Sequence, residues 1–402
     1  MTQTAASRLP GVGGANARWD AVVVGARVAG AATALLLARA GLRVLCVDRS
    51  RHGSDTVSTH ALMRAGVLQL SRWGLLDDVR AAGTPPVRRI TFFYDDEPVV
   101  VSVKPSPGVD ALYAPRRTLL DPLLVDAAVR AGATFRYGTT VTGLLRGDHG
   151  RVTGVVTRGR DDQSREEQAA LVIGADGHSS LVADSVGAPA QFTGRAASAI
   201  VYGYWAGLPV DGYEWGYRPG ASTGAIPTNG GLTCVFAGGR PDGVARLVRQ
   251  HGPAGALREI AGPGPLGRRL AGARQIGPVR YVRGVPSHLR QPFGPGWALV
   301  GDAGYWKDPL SAHGMTAALR DAELLARAVV DAPRPGRAQL AALADYAADR
   351  DALSLPMLRV IERVAAHDWT MPEIRELLMA MASAMVDEVE LLEGLQDVAE
   401  AV

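Results

Sequence analysis

Cysteine is scarce in this 402-residue sequence, which contains only Cys46 and Cys234. Both lie in apolar stretches that predict buried strands, so we expect two buried thiols rather than a disulfide, as in a reducing cytoplasm. No apolar run reaches the roughly 20 residues needed to cross a bilayer. Residues 1–18 are rich in small residues and lack the apolar core of a signal peptide. These absences predict a cytoplasmic protein with a disordered tail at 1–18 and no membrane span.

Lysine is also scarce, because only Lys104 and Lys307 occur among the 43 basic residues. The formal net charge is +3, which argues against a broadly basic surface and a nucleic-acid partner. Hydrophobic residues make up 47% of the chain. A chain of this length exceeds what one core usually holds, so we expect two domains or one elaborated domain. No metal site is predicted.

A strand–loop–helix–strand unit stands near the N-terminus. An apolar predicted strand is followed by the run GARVAG, a helix and a second strand that ends at Asp48. Gly25 and Gly30 match the first and third glycines of a dinucleotide-binding fingerprint, and Arg27 replaces the middle glycine. Arg27 would offer charge to phosphates, and Asp48 would accept hydrogen bonds from a ribose. The alternative is an ordinary strand–turn–helix crossing.

Two further motifs follow predicted strands. The run GADG at 174–177 comes after a buried apolar strand, and GDAGYWKDPLSAHG at 301–314 lies between an apolar strand and a helical pattern. A Gly-Asp pair at a strand end can place a carboxylate against sugar-like hydroxyls. The start of the next helix offers free N–H groups to an electron-rich ligand edge. We therefore expect the chemistry at 301–314.

The segments between these motifs alternate aromatic and apolar residues, which predicts antiparallel strands. Turns are expected at Gly220, Asn229-Gly230 and Gly238-Gly239, and a helix pair is expected within 241–275. Residues 55–82 are predicted to be helical and then loop-like.

A capping box from Thr370 to Glu373 predicts the start of a C-terminal helix. Its apolar stripe indicates a core or dimer contact rather than a cofactor site. The stripe consists of Ile374, Leu377, Leu378, Met381, Met385, Val389 and Leu392.

Taken in chain order, these motifs resemble the FAD-dependent monooxygenases of the para-hydroxybenzoate hydroxylase fold. Pro309 and Gly314 stand at the family's spacing after Asp302, and Arg117 matches its arginine before a conserved helix. The sequence leans toward the geranylgeranyl-reductase and flavin-halogenase-like branch. The resemblance implies an α/β fold: an FAD-binding Rossmann-like domain of the GR2 type, an inserted antiparallel substrate sheet and a helical C-terminus.

The expected domains are discontinuous. The FAD-binding domain is predicted at 19–85, 113–190 and 290–335, the substrate-binding β-sheet domain at 86–112 and 191–289, and C-terminal helices at 336–402.

The resemblance also implies which residues contact FAD. The glycine loop would lie at the pyrophosphate, Asp48 at the adenosine ribose and Asp302 at the ribityl chain or pyrophosphate. Pro309 would lie beside the isoalloxazine, and the amides of Gly314 and Met315 would face its N1/O2 edge, where they stabilise the charge of reduced flavin. The full cofactor-binding set is Gly25, Arg27, Gly30, Asp48, Arg49, Arg117, Asp176, Gly177, Gly301, Asp302, Pro309, Gly314 and Met315.

Four residues are candidates for catalysis: His60, His313, Lys307 and Pro309. His60 would orient substrate or transfer a proton, or would be a loop histidine bonded to backbone. His313 would contact the flavin's pyrimidine side or the substrate. Lys307 would pair with a flavin or substrate oxygen, or would lie solvated at the surface.

Aromatic residues of the inserted sheet are a second group of candidates. Tyr204, Trp215 and Tyr217 would form a wall for a planar substrate, or would be ordinary sheet packing.

The resemblance predicts hydroxylation or epoxidation of a hydrophobic, natural-product-type molecule through a flavin C4a-hydroperoxide. Molecular oxygen, FAD and NADPH or NADH are the expected co-reactants, although a separate flavin reductase is an alternative electron source. The second hypothesis is a flavin-dependent alkene reductase. A halogenase is less favoured because the Trp-x-Trp-x-Ile-Pro segment is missing, and a non-catalytic flavin-binding regulator also stays open. The chain is expected to be a monomer or homodimer.

Overall fold

The computed structural model describes residues 18–262 and 264–395. The predicted disordered tail at 1–18 lies, apart from Arg18, outside the described residues. No helix within them is both long and apolar enough to cross a membrane.

The described helices are α1 (Val28–Arg39), α2 (Arg64–Arg72), α3 (Leu76–Ala81), α4 (Arg117–Arg130), α5 (Leu181–Val186), α6 (Pro241–Ala261), α7 (Pro265–Leu270), α8 (Gly314–Asp331), α9 (Arg337–Ala365) and α10 (Met371–Glu393). The strands are β1 (Trp19–Val24), β2 (Val44–Asp48), β3 (Arg89–Tyr94), β4 (Glu97–Ser102), β5 (Thr134–Tyr137), β6 (Thr140–Arg146), β7 (Val152–Arg158), β8 (Ser164–Gly174), β9 (Ala190–Thr193), β10 (Ala199–Ala206), β11 (Tyr213–Arg218), β12 (Ala221–Thr228), β13 (Leu232–Gly239), β14 (Arg274–Val282), β15 (His288–Arg290), β16 (Phe293–Gly294), β17 (Trp297–Leu299) and β18 (Tyr305–Trp306).

The first sheet has a parallel centre with the strand order β17-β8-β1-β2-β5. The central strands β1 and β2 are apolar because both faces of the sheet are covered, one by α1 and the other by the hairpin of β6 and β7 together with α5. β16 pairs antiparallel with β17, and the hairpin of β6 and β7 joins through β8. The carboxyl ends of β1, β2, β8 and β17 meet at one edge, which brings all three strand-end motifs together.

The second sheet has seven strands in the order β14-β10-β13-β12-β11-β3-β4. Every neighbouring pair is antiparallel except β3 and β11, which run parallel with Phe92 opposite Trp215. Side chains alternate between the two faces. One face, including Val201 and Val235, packs on α6, and the opposite face contributes aromatic residues to the core shared with the first sheet.

Helices α9 and α10 close the fold. α10 packs against α9 and α2 and touches β11 of the seven-stranded sheet. Ile374, Leu378, Val389 and Leu392 are buried. This confirms the interpretation of the apolar stripe as core.

Several local predictions are tested by these elements. Cys46 and Cys234 are free and buried, as expected. The turn predicted at Gly238-Gly239 is wrong, because both glycines lie inside β13 and pair with Ile200 and Ala199. Small residues are needed there because a Cβ on Gly239 would lie 2.8 Å from the Gly220 carbonyl oxygen.

The predicted order of helix and loop in 55–82 is also wrong. The chain is irregular up to Met63, and the helices α2 and α3 follow. The helix pair predicted within 241–275 is confirmed, because α6 and α7 both lie there.

The capping box of α10 gives a stability prediction. The Thr370 hydroxyl accepts a hydrogen bond from the Glu373 amide, and the Glu373 carboxylate accepts one from the Thr370 amide. Thr370→Ala removes one of these bonds and should destabilise the helix by about 1 kcal/mol. Amide hydrogen exchange of residues 371–378 should be faster, whereas Thr370→Ser keeps the cap and serves as the control. Equal exchange in the two variants would contradict the role of the cap.

Candidate active site

The glycine loop after β1 is shaped by two close backbone contacts. Gly25 has a φ of +104°, and a Cβ there would lie 2.4 Å from the Ala175 carbonyl oxygen. A Cβ at Gly30 would lie 1.8 Å from the Gly25 carbonyl oxygen. Because only glycine fits at either position, α1 can start close against the end of β8. The first and third glycines of a dinucleotide fingerprint require this packing.

Asp48 lies beside this loop at the end of β2. Its Oδ2 accepts a hydrogen bond from the Ala26 amide at 2.7 Å, and its Oδ1 accepts one from the Ser50 amide at 2.7 Å. A cleft lined by Ala26, Arg27, Asp48 and Ser50 opens there. No side chain caps the first turn of α1, so its amides are available to an anion. Arg49 is exposed and does not line the cleft, so its cofactor role stays a prediction.

Arg27 is tied to helix α4 by an ion pair. Its Nη1 lies 3.1 Å from Oδ2 of Asp121, and its Nη2 donates to the Ser54 hydroxyl at 3.1 Å. Arg117 donates to the same carboxylate from Nε at 2.7 Å and from Nη2 at 3.1 Å. Asp121 was missed in the sequence, although its position four residues after Arg117 is the spacing of a helical ion pair.

Asp176, in the run GADG at 174–177, stabilises the start of α5. The Asp176 carboxylate accepts hydrogen bonds from the Ser180 hydroxyl at 2.5 Å and the Val182 amide at 3.2 Å. Burial raises the pKa of Asp176, and these hydrogen bonds oppose the shift. Gly177 has a φ of +83°, and a Cβ there would meet no atom within 4 Å. The proposed contacts of Asp176 and Gly177 with cofactor stay predictions.

The loop of residues 301–314, here called the Gly-Asp loop, follows β17. Gly301 has a φ of +57°, and Asp302 follows it in a short 3-10 turn. Burial raises the pKa of Asp302, while the positive charges of Lys307 and Arg117 lower it. The fold therefore places the Asp302 carboxylate, which is expected to bind the ribityl chain, within the electrostatic influence of Lys307 and Arg117.

The end of the Gly-Asp loop leads directly into α8. Pro309 begins a 3-10 turn that is capped by Asp308, whose Oδ1 accepts from the Leu310 amide at 3.0 Å. His313 is the N-cap residue of α8, and no side chain caps that helix. A Cβ on Gly314 would have no atom within 4 Å. The first turn of α8 is therefore uncapped and has open space beside Gly314.

A group of charged side chains is buried next to this loop; we call it the buried charge network and define it as His313, Arg320, Asp321 and Glu388. Nε2 of His313 lies 2.7 Å from Oε2 of Glu388, and Nη1 of Arg320 donates to Oε1 of Glu388 at 3.2 Å. Nη2 of Arg320 donates to Oδ1 of Asp321 at 2.7 Å. Glu388 comes from α10 and was not found from sequence.

Lys307 adjoins this network. Its side chain is only 3% exposed, so the alternative of a solvated surface lysine is wrong. Nζ lies 3.8 Å from the ring centroid of Tyr305 and makes no hydrogen bond to a described residue. Burial lowers the pKa of Lys307 to about 8, although the Asp302 carboxylate opposes that shift.

His60 is fully buried and contacts the substrate sheet. Its Nε2 and the Tyr204 hydroxyl are hydrogen-bonded at 2.5 Å, and the guanidinium of Arg116 stacks on the Tyr204 ring at 4.1 Å. Burial, reinforced by Arg116 and Arg117, lowers the pKa of His60 to about 3. The ring is therefore neutral at pH 7, and it bonds to a side chain rather than to backbone as the alternative had it. Its backbone φ of +70° is unusual for a residue with a side chain.

The three aromatic candidates share one face of the seven-stranded sheet. Tyr204 stands on β10, and Trp215 and Tyr217 stand on β11. All three are buried in the core that includes Met315 and Leu310. Tyr217 also packs edge-on against Trp369, from the connection between α9 and α10, with ring centroids 6.0 Å apart. The sheet therefore contributes an aromatic face to the core that also contains the end of the Gly-Asp loop.

These features fit FAD. Two long helices begin with uncapped turns, one beside a glycine loop and Asp48, the other beside open space at Gly314. The first suits a pyrophosphate and a ribose, and the second suits the electron-rich edge of a flavin.

Comparison with known families agrees with this geometry. The family model described as "FAD binding domain" matches residues 18–220, about half of the chain. The chain belongs to the FAD binding domain family. The expected resemblance to FAD-dependent monooxygenases of the para-hydroxybenzoate hydroxylase fold is confirmed.

Similar members of the FAD binding domain family include enzymes of different reaction types. The 2,4-dichlorophenol 6-monooxygenase of Delftia acidovorans is 30% identical over 260 residues, which cover 56% of this chain and 44% of that protein. The menaquinone reductase of Mycolicibacterium smegmatis is 29% identical over 331 residues, covering 77% and 76%. The chain spans only 34% to 44% of the length of three relatives to which it is at least 30% identical.

A solved structure confirms the predicted fold class of this FAD binding domain protein. The flavin-dependent halogenase CmlS superposes with a TM-score of 0.77 at 23% identity, covering 88% of this chain and 66% of that one. At this identity the likeness shows the fold alone.

The space beside Gly314 gives a test of the cofactor site. Gly314→Val should leave the FAD-free protein folded, because a Cβ there meets no neighbour, yet the added side chain would screen the α8 amides. We expect the dissociation constant for FAD, measured by fluorescence titration, to rise at least about tenfold, or about 1.4 kcal/mol. Gly143→Val, in β6, is the matched control because a Cβ there also meets no neighbour. Equal FAD affinity in the two variants would place the flavin elsewhere.

Proposed function

We propose that this chain is an FAD-dependent monooxygenase that hydroxylates or epoxidises a hydrophobic small molecule, aromatic or polyketide-like in character. The observation that carries the proposal is the aromatic face of the seven-stranded sheet, which belongs to the same buried core as Leu310 of the Gly-Asp loop and Met315 of α8. Tyr204, Trp215 and Tyr217 offer broad apolar contact with few polar groups. FAD, when bound and reduced by NADPH or NADH, supplies the electrons that activate molecular oxygen.

The residues of the chain would position the reactants and keep water away. Uncapped amides at Gly314 and Met315 would stabilise negative charge on a bound flavin edge, and Pro309 would keep the loop rigid beside it. Asp48 would hold the ribose, and Arg27 and Arg117 would lie near phosphate or ribityl groups.

His60 would orient the substrate rather than act as a strong base. A neutral imidazole whose pKa lies at about 3 holds a proton poorly at pH 7. Its hydrogen bond to Tyr204 instead fixes the direction of the Tyr204 hydroxyl, a polar group on the aromatic face. We infer that this hydroxyl bonds to an oxygen of the substrate.

A second candidate function is reduction of an isolated alkene without oxygen. Its support is the similarity to menaquinone reductase, which extends over about three quarters of both chains. A halogenase has less support, because the Trp-x-Trp-x-Ile-Pro segment is missing and the likeness to CmlS concerns the fold alone.

Isotope labelling separates the two functions. The FAD-loaded protein, reduced with NADPH or with an added flavin reductase, is supplied with ¹⁸O₂ and a panel of phenols, quinones and isoprenoid alkenes. A monooxygenase should place one labelled oxygen atom in a product, whereas an alkene reductase should add two hydrogen atoms under anaerobic conditions. Consumption of oxygen without labelled product from any member of the panel would contradict the monooxygenase.

Tyr204→Phe tests the orientation of substrate. The variant removes the hydroxyl and keeps the ring, so kcat/KM for an active panel compound should fall about tenfold while FAD affinity is unchanged. Tyr202→Phe removes a hydroxyl from the same strand and is the control. A similar loss in both variants would mean that sheet packing, rather than the Tyr204 hydroxyl, limits turnover.

A further inference from the structure

Glu388 is a buried carboxylate on the C-terminal helix α10. Its side chain is only about 1% exposed, although it lies between the stripe residues Met385 and Val389. Burial alone would raise its pKa, but the charges of His313, Arg320 and Lys307 overcome this and lower the pKa to about 2. Burying a charged side chain in the core costs free energy unless the charge is paired. The partners of Glu388 therefore explain how a carboxylate can occupy this position.

The partners of Glu388 lead to the end of the Gly-Asp loop. Oε2 lies 2.7 Å from Nε2 of His313, the residue directly before Gly314. Neither ring nitrogen of His313 makes a hydrogen bond of good geometry to a described residue. The short contact with the Glu388 carboxylate is therefore the polar interaction that holds the imidazole in place.

The same carboxylate is linked to the beginning of that loop. Oε1 accepts a hydrogen bond from Arg320, and Arg320 donates to Asp321 from Nε at 3.0 Å and from Nη2 at 2.7 Å. Oδ2 of Asp321 accepts a hydrogen bond from the Gly301 amide at 3.2 Å. Through the buried charge network, one carboxylate on α10 is thus connected to both ends of residues 301–314.

We propose that Glu388 is a positioning residue for the flavin: it holds His313 at the N-terminus of α8 and fixes the Gly-Asp loop against α10. The proposal rests on the proposed function, because it takes the loop as the flavin-facing one. In this arrangement the C-terminal helices are part of the cofactor site, because they keep the first amides of α8 at the place where reduced flavin carries negative charge.

Two alternative roles of Glu388 predict opposite effects of removing its charge on the reduction potential of bound FAD. If Glu388 acted only as a nearby anion, Glu388→Gln would make the site more positive and would shift the reduction potential of bound FAD upward. If Glu388 holds His313 and the loop in place, the same variant loosens the α8 amides that would stabilise the charge of reduced flavin. The potential would then shift downward, in the same direction as in His313→Gln.

The experiment uses the full chain with Glu388→Gln, His313→Gln, the double variant and Asp387→Asn, an exposed neighbour on α10, as the matched control. In the FAD-free proteins, amide exchange of residues 301–316 should be faster in Glu388→Gln than in the control, while that of β10 is unchanged. The dissociation constant for FAD should rise about tenfold. The potential should shift downward in both single variants and no further in the double variant.

Other results contradict the inference. An upward shift of the potential, or exchange and affinity equal to those of Asp387→Asn, would overturn the positioning role. If Glu388→Gln does not fold, His313→Gln decides, because loss of the imidazole alone should lower the potential and unchanged values would overturn the role. A wild-type chain that takes up no FAD in the same titration would contradict the cofactor site, whereas normal uptake with unaffected variants would contradict only the role of Glu388.

Discussion

The parallel order β17-β8-β1-β2 is the constraint on which the rest of this structure depends. Parallel strands point their carboxyl ends the same way, so three motifs that are far apart in the chain emerge at one edge. The packing there leaves no room for a side chain at Gly25 or Gly30. Once α1 and α8 start at this edge, their unpaired amides create two sites that favour negative charge.

The seven-stranded sheet supplies the aromatic side chains that adjoin the FAD-binding part. Its two segments, β3 with β4 and β10 to β14, are joined through the parallel pair β3 and β11. Strand alternation then divides the side chains, so that aliphatic residues pack on α6 and aromatic residues face the FAD-binding part. The chemistry of a bound flavin would thus take place between a polar loop and a largely apolar wall, which suits a hydrophobic substrate and keeps water out.

Much of the fold was accessible from the sequence because its signals are local. Glycine spacing, strand periodicity and the Thr370 cap each act within a few residues, and the fold class implied by the family resemblance is confirmed. The errors arose where tertiary packing decides. Gly238 and Gly239 resemble a turn in sequence, yet a neighbouring strand takes them into the sheet.

The partners of the site residues were harder to predict for the same reason. Lys307 has no local feature that shows its burial, and the link between Arg27 and Asp121 depends on how α1 packs on α4. Glu388 did leave a signal, because it occupies a position of an otherwise apolar helical stripe. A charge at such a position indicates a buried partner, but the partner, on α8, could not be read from α10 alone.

The place of Glu388 in the chain has a consequence for how the protein is made. Synthesis runs from the N-terminus, so the glycine loop, Asp48 and the first sheet emerge well before α10. Until α10 arrives, His313 lacks its contact with Glu388, and Arg320 is paired only with Asp321. In the proposed site, the half beside α1 could therefore fold early, whereas the half beside α8 would be completed only when α10 packs.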